Sequence, residues 1–101
     1  MCQKAFGAFY APLISAFEVT WTRGAPTYFQ SSNKVQRGFC AACGTPLTYE
    51  VIGRHTSEET EIAIGAFDDP ERVAPTIQVN PNDKLSFTDQ LPTLPTRAVD
   101  A

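Results

Sequence analysis

The chain has 101 residues, eight basic and eleven acidic side chains, and a formal net charge of −3. This length predicts one domain, residues 1–101, since two separate cores would have about 50 residues each, near the lower limit for independent folding. The acidic balance and scattered Lys and Arg argue against a nucleic-acid partner, and no apolar run approaches the roughly 20 residues that span a membrane.

The first residues contain an apolar stretch at positions 5–17 that resembles the hydrophobic region of a secretory signal peptide. Gly7 and Pro12 interrupt this stretch, Lys4 is the one charge before it, and no small-residue cleavage site follows it. Three cysteines are too few for a disulfide-stapled miniprotein, and an odd number favours reduced or metal-bound thiols. The sequence therefore predicts a cytoplasmic protein.

Strand signals dominate the chain up to residue 67. Residues 17–22 and 47–51 alternate apolar and polar side chains, as a half-buried strand does, and residues 27–30 are rich in β-formers. Residues 35–39 also have the pattern of a strand, and residues 62–67 are apolar on both faces. We predict a mainly β fold, a small antiparallel β domain with little helix.

The remaining segments read as turns, loops and a tail. Helical turns are predicted only within the first dozen residues and at residues 70–73, because eight prolines and six glycines limit longer helices. Residues 53–60 are polar and charged, which is typical of a loop. Residues 80–101 hold four prolines and are predicted to be a largely extended C-terminal tail, with a short strand at residues 85–87.

Cys40 and Cys43 form the sharpest local motif, a C-x-x-C followed by Gly44. Two thiolates at this spacing on a tight turn can bind one tetrahedral Zn²⁺, although such a site normally needs two further ligands. A redox pair, a simple disulfide and a pair of small buried side chains are the alternatives. The strand-like flanks argue against the βαβ setting of a thioredoxin-like pair.

Cys2 and His55 are the other candidate ligands. Cys2 lies close to Lys4 at the start of a predicted helical turn, which makes it a candidate reactive thiol, and the alternative is an exposed terminal residue without a role. His55 lies in the predicted loop, where a solvated histidine is favoured over a fourth zinc ligand.

The order of residues resembles the glutathione-dependent formaldehyde-activating enzyme family, which includes centromere-protein-V-like proteins. Its central signature is similar to Phe29-Gln30-Ser31-Ser32 and to Arg37-Gly38-Phe39-Cys40-Ala41-Ala42-Cys43-Gly44-Thr45-Pro46-Leu47-Thr48-Tyr49. Further blocks resemble Ile64-Gly65-Ala66-Phe67-Asp68-Asp69-Pro70-Glu71, the closing Leu91-Pro92 and, upstream, the segment that begins at Cys2. The resemblance covers nearly the whole chain.

The resemblance implies an Mss4-like β fold with two zinc sites. A structural zinc would use Cys40 and Cys43 together with a C-x-C pair, and a catalytic zinc would use a C-x-C-x-x-C cluster of which Cys2 is the third cysteine. The implied activity is that of a carbon–sulfur lyase, which makes or breaks the bond between formaldehyde and the thiol of glutathione. Cys2 is accordingly the predicted catalytic residue, and glutathione the co-substrate.

The chain departs from this pattern at its N-terminal end. The cysteine pairs that would complete both zinc sites do not occur in the sequence, so both sites are expected to be incomplete. We expect the chain to be the C-terminal part of a longer family member that begins at an internal methionine, here Met1. Weak zinc binding and impaired lyase activity would follow.

Three functions remain open at this point. The first is a zinc-dependent lyase acting on adducts such as S-hydroxymethylglutathione, and the second is a non-catalytic β module with a vestigial zinc site. The third is a thiol-redox protein that uses Cys40 and Cys43. A homodimer is expected if a strand edge remains exposed.

Overall fold

The computed structural model describes residues 2–53 and 59–99 and consists mainly of one five-stranded antiparallel sheet. A short helix precedes the strands, and the elements are α1 (Cys2–Phe6), β1 (Leu13–Phe17), β2 (Thr27–Gln30), β3 (Val35–Phe39), β4 (Pro46–Val51) and β5 (Glu59–Ala63). Short 3-10 helices follow at Ile64–Ala66, Pro70–Val73, Pro81–Asp83 and Thr88–Thr93. The prediction of a mainly β, antiparallel fold is confirmed.

The sheet is a meander of four strands with a fifth strand added at its far edge. The strand order is β1-β5-β4-β3-β2, so β2, β3 and β4 each pair with the next strand along the chain. β1 pairs with β5 along its whole length, from Leu13 opposite Ala63 to Phe17 opposite Glu59. β2 therefore forms one edge of the sheet, and all four of its residues are exposed.

The core lies where β3, β4 and β5 meet. Ala63, Ile64 and Thr48 are buried, and among the described residues no large side chain is completely buried. The backbone N–H of Gly38 donates to Thr48 Oγ1 at 3.1 Å, which satisfies the threonine hydroxyl inside the sheet. A Cβ at Gly38 would overlap that oxygen, so the close approach of these two strands depends on glycine.

The structure confirms several predicted elements. The predicted strands at residues 27–30, 35–39 and 47–51 correspond to β2, β3 and β4. Helical turns form at α1 and at Pro70–Val73, both within the predicted positions. No helix in the described part of the chain is long and apolar enough to cross a membrane.

Three predicted strands are wrong or misplaced. The first strand is Leu13–Phe17 rather than residues 17–22, because Glu18 adopts a left-handed conformation (φ 54°) that ends it. The strand predicted at residues 62–67 ends at Ala63, and the N–H of Ile64 then donates to the carbonyl oxygen of Pro12 as a 3-10 turn begins. Residues 86 and 87 form a turn, so the strand predicted at residues 85–87 is also wrong.

The predicted loop at residues 53–60 falls only partly within the described residues. Residues 54–58, including His55, lie outside them, and residues 59 and 60 belong to β5.

Candidate functional site

The C-x-x-C motif lies on the turn between β3 and β4. The N–H of Cys40 donates to the carbonyl oxygen of Thr45 at 2.9 Å, and the N–H of Gly44 donates to the carbonyl oxygen of Cys40 at 2.7 Å. Gly44 has a φ of +79°, a conformation that costs little without a Cβ. The turn thus places Cys40 and Cys43 together at one end of the hairpin.

Cys43 is exposed, and hydrogen bonds favour the thiolate form of its side chain. Its Sγ lies 3.0 Å from the hydroxyl oxygen of Thr45. Hydrogen bonds from the Thr45 side chain, from the Thr45 backbone and from the Cys40 side chain lower the pKa of the Cys43 thiol, because they favour the thiolate. Both cysteines are free thiols.

Cys2 lies at a different place, next to Arg37. Arg37 Nη2 donates to Cys2 Sγ at 3.4 Å, which ties α1 to the centre of β3. Across residues 2–53 and 59–99, no group of three His, Cys, Asp or Glu side chains is arranged to hold a metal ion. The three predicted zinc ligands are therefore divided between two places, and their role as ligands stays a prediction.

Arg37 is held by three neighbours and has one unsatisfied nitrogen. Besides its bond to Cys2, its Nε donates to Ser31 Oγ at 3.2 Å, and its guanidinium carbon lies 5.2 Å from the centroid of the Tyr49 ring. Such a cation–π contact stabilises the charge and fixes the plane of the group. Nη1 is buried and has no hydrogen-bond partner among residues 2–53 and 59–99.

The strand register explains why these side chains meet. Arg37 lies directly opposite Phe29 on β2 and opposite Tyr49 on β4, so the three side chains share one face of the sheet. Ser31 follows β2, where its hydroxyl can reach Arg37. Cys2 of the short helix α1 accepts a hydrogen bond from Arg37 in this row.

A cavity of about 340 Å³ lies between α1 and the strands β2, β3 and β4. Lys4 and Arg37 are among its lining residues, and none of the described residues that line it is acidic. The apolar walls are formed by Phe6, Phe29, Phe39 and Pro46. This volume falls at the low end of the range of small-molecule sites.

Sequence reasoning gave no role to Arg37, Ser31 and Tyr49. In the sequence, each of these residues is only part of the family signature. The spacing of residues does not connect Arg37 to Cys2, which lies thirty-five positions earlier. One available signal was an arginine on a strand between aromatic residues of the neighbouring strands, since such an arginine often stacks on a ring.

One comparison with known proteins identifies a family. The family model described as Glutathione-dependent formaldehyde-activating enzyme matches residues 1–83. No curated protein and no solved structure matches the chain. The matched segment contains all three cysteines and every residue that lines the cavity.

Proposed function

The chain belongs to the glutathione-dependent formaldehyde-activating enzyme family, and on this basis we propose that it makes or breaks the carbon–sulfur bond of S-hydroxymethylglutathione. The observation that supports this proposal is the cavity lined by Lys4 and Arg37, of which Arg37 hydrogen-bonds Cys2. A cationic, partly apolar pocket suits a small thiol that develops negative charge on sulfur.

The reaction can be written for the breaking direction. The hydroxyl of the adduct loses its proton to solvent, the carbonyl bond of formaldehyde forms, and the carbon–sulfur bond breaks so that its electron pair stays on the glutathione sulfur. Arg37 and Lys4 would stabilise the departing thiolate, and the reverse reaction adds that thiolate to the carbonyl carbon. Cys2, which hydrogen-bonds Arg37, would act as a positioning residue for the guanidinium.

The family also implies zinc, and the described residues do not fit a complete zinc site. Cys40 and Cys43 offer two sulfurs at one turn, whereas structural zinc prefers four ligands, and Cys2 is engaged by Arg37. No step of the proposed reaction is therefore assigned to a metal. The predicted roles of Cys2, Cys40 and Cys43 as ligands are proposals that zinc analysis can test. The catalytic role of Cys2 stays a prediction.

The proposal is tested by exchange between free formaldehyde and its glutathione adduct. Exchange spectroscopy with ¹³C-formaldehyde should show faster exchange with the protein than with buffer, measured with and without added zinc. Arg37→Lys should reduce the acceleration, since lysine cannot reproduce the bonds to Ser31 and Cys2. Arg23→Lys makes the same change at an exposed position and should have no effect.

Exchange at the buffer rate under both conditions would contradict the lyase proposal. That result would favour the non-catalytic β module, which keeps the fold without the chemistry.

A second candidate function is thiol–disulfide exchange at Cys43. The lowered pKa of its thiol and its exposure support it, because the thiolate is the attacking species. Cys43 would attack a disulfide and release one thiolate, and Cys40 would then displace the second, which leaves a Cys40–Cys43 disulfide. Incubation with oxidised glutathione should produce this disulfide by mass spectrometry, and a chain that stays fully reduced would contradict the candidate.

We further propose that two copies of the chain associate through their exposed sheet surface. The exposed edge strand β2 offers backbone groups that a second copy could pair with. Light scattering should give the mass of a dimer, and a monomer at all concentrations would contradict it. A cytoplasmic location stays a prediction.

A further inference from the structure

We propose that Ser31 is a positioning residue, whose hydroxyl holds the guanidinium of Arg37 in one orientation at the wall of the cavity. That this orientation serves the chemistry rests on the proposed function, in which Arg37 stabilises a thiolate. That Ser31 sets the orientation rests on its bond to Arg37, on its own anchoring in the turn between β2 and β3, and on what the other contacts of Arg37 leave free.

The bond between Ser31 and Arg37 has a defined direction. Arg37 Nε donates to Ser31 Oγ at 3.2 Å, and the Ser31 hydroxyl donates to the carbonyl oxygen of Val35 at 3.4 Å. Because Val35 takes the hydroxyl hydrogen, the lone pairs of the Ser31 oxygen remain for the guanidinium. A hydrogen bond from a cation is stronger than one between neutral groups, so this contact can orient a long side chain.

The backbone anchors Ser31 in the same turn. Its N–H donates to the carbonyl oxygen of Val35 at 3.0 Å, which continues the pairing of β2 with β3 one residue beyond the end of β2. The N–H and the hydroxyl of Ser31 therefore meet the same carbonyl oxygen. Arg37 lies two residues after Val35 on β3, so the anchor and the guanidinium belong to one hairpin.

The other two contacts of Arg37 leave its orientation incompletely fixed. The Tyr49 ring, whose centroid lies 5.2 Å from the guanidinium carbon, restricts the tilt of the group but not its rotation within its own plane. Cys2 Sγ accepts from Nη2 at 3.4 Å, but sulfur is a weak acceptor. Cys2 also lies on α1, whose five residues are too few for a helix that is stable by itself. Ser31 is thus the oxygen acceptor that fixes the in-plane rotation from the sheet.

Ser32 offers a matched control in the same turn. Its Oγ accepts from the N–H groups of Lys34 and Val35, each at 3.1 Å, and within residues 2–53 and 59–99 it has no hydrogen bond to Arg37. Ser32→Ala therefore weakens the turn without removing a contact of Arg37, whereas Ser31→Ala removes the bond to Nε. A merely structural role of Ser31 predicts similar effects of the two substitutions.

The first measurement does not depend on activity. Proton–nitrogen NMR spectra of the full chain report the Nε–H of Arg37, which is assigned by its absence in Arg37→Lys. Ser31→Ala should speed the exchange of this hydrogen with solvent about fivefold or more, because its acceptor is lost. Ser31→Thr keeps a hydroxyl and should restore slow exchange, and Ser32→Ala should leave it unchanged. Equal exchange in Ser31→Ala and the unmodified chain would overturn the proposal.

The second measurement is the exchange between formaldehyde and its glutathione adduct. Ser31→Ala should lower kcat about three- to tenfold and leave KM within about twofold, because the guanidinium charge matters most when the thiolate forms. Ser31→Thr should recover most of kcat, and Ser32→Ala should retain it. An unchanged kcat in Ser31→Ala, or equal losses in Ser31→Ala and Ser32→Ala, would overturn the proposal.

The positioning role and the lyase proposal can fail separately. Faster Nε–H exchange in Ser31→Ala, without any acceleration of formaldehyde exchange by the unmodified chain, would support the positioning of Arg37 and contradict the lyase. Acceleration by the unmodified chain, with the same Nε–H exchange in Ser31→Ala, would support the lyase and contradict the positioning role.

Discussion

The contact between Gly38 and Thr48 predicts a large cost for one added methyl group. In Gly38→Ala the new Cβ would overlap Thr48 Oγ1 and would also lie 3.1 Å from Pro26 Cβ and 3.2 Å from Tyr28 Cε1. Thr48 is 2% exposed and lies within the sheet, so it has little room to move.

The magnitude follows from two losses. Forcing an extra methyl group into a packed interior typically costs 1–3 kcal/mol, and the hydrogen bond from the Gly38 N–H to Thr48 Oγ1 contributes about 0.5–1.5 kcal/mol. We therefore expect Gly38→Ala to lower the free energy of unfolding by about 2–4 kcal/mol. Urea titration followed by circular dichroism measures this change.

Gly65→Ala is the matched control, because a Cβ at Gly65 would meet no atom of the described residues within 4 Å apart from its chain neighbours, and φ there is not positive. Its free energy of unfolding should stay within about 0.5 kcal/mol of that of the unmodified chain. Adding Thr48→Ala to Gly38→Ala removes the overlapping oxygen, so the double variant should lose less stability than the sum of the single variants. Equal effects of Gly38→Ala and Gly65→Ala would refute the reasoning.

Three further predictions concern the thiols and the surface. Thr45→Val removes the hydroxyl that lowers the pKa of the Cys43 thiol, so this pKa should rise. Alkylation of Cys43 by iodoacetamide at neutral pH should then slow. An unchanged pH–rate profile would contradict the hydrogen bond. Asp89→Asn removes the 2.9 Å ion pair with Lys84. The Asp89 side chain is 73% exposed and the Lys84 side chain 40%, so the free energy of unfolding from urea titration should fall by at most about 1 kcal/mol. A chromophoric chelator should remove zinc readily, because the turn at Cys40 and Cys43 offers two sulfurs whereas structural zinc has four ligands. One tightly retained zinc ion per chain would contradict this expectation.

The strands that the sequence predicted correctly have local causes. β2 and β4 are short runs of β-formers bounded by polar turns or by glycine and proline, so their positions follow from nearby residues. β1 was misplaced because its position depends on pairing with β5, which the local pattern does not contain. The alternation of residues 18–22 indicated a strand, yet no strand within residues 2–53 and 59–99 pairs with that segment.

The candidate site was predictable only in part. The turn that holds Cys40 and Cys43 follows from their spacing and from Gly44, and the structure bears it out. The contact between Cys2 and Arg37 depends on how α1 packs against the sheet, a tertiary arrangement that periodicity cannot reveal. The burial of Nη1 of Arg37 is likewise visible only in three dimensions.

β1 differs from the other described strands in the loop that its pairing closes. Leu13 pairs with Ala63, whereas the other neighbouring strands are consecutive in the chain. Because a long loop costs more entropy to close than a hairpin, we expect β2 to β5 to assemble first during refolding and β1 to dock last. Pulsed hydrogen exchange should protect the amides of β3 and β4 before those of β1, and simultaneous protection would contradict this order. Since α1 directly precedes β1, the contact between Cys2 and Arg37 would be among the last to form and among the first to be lost on unfolding.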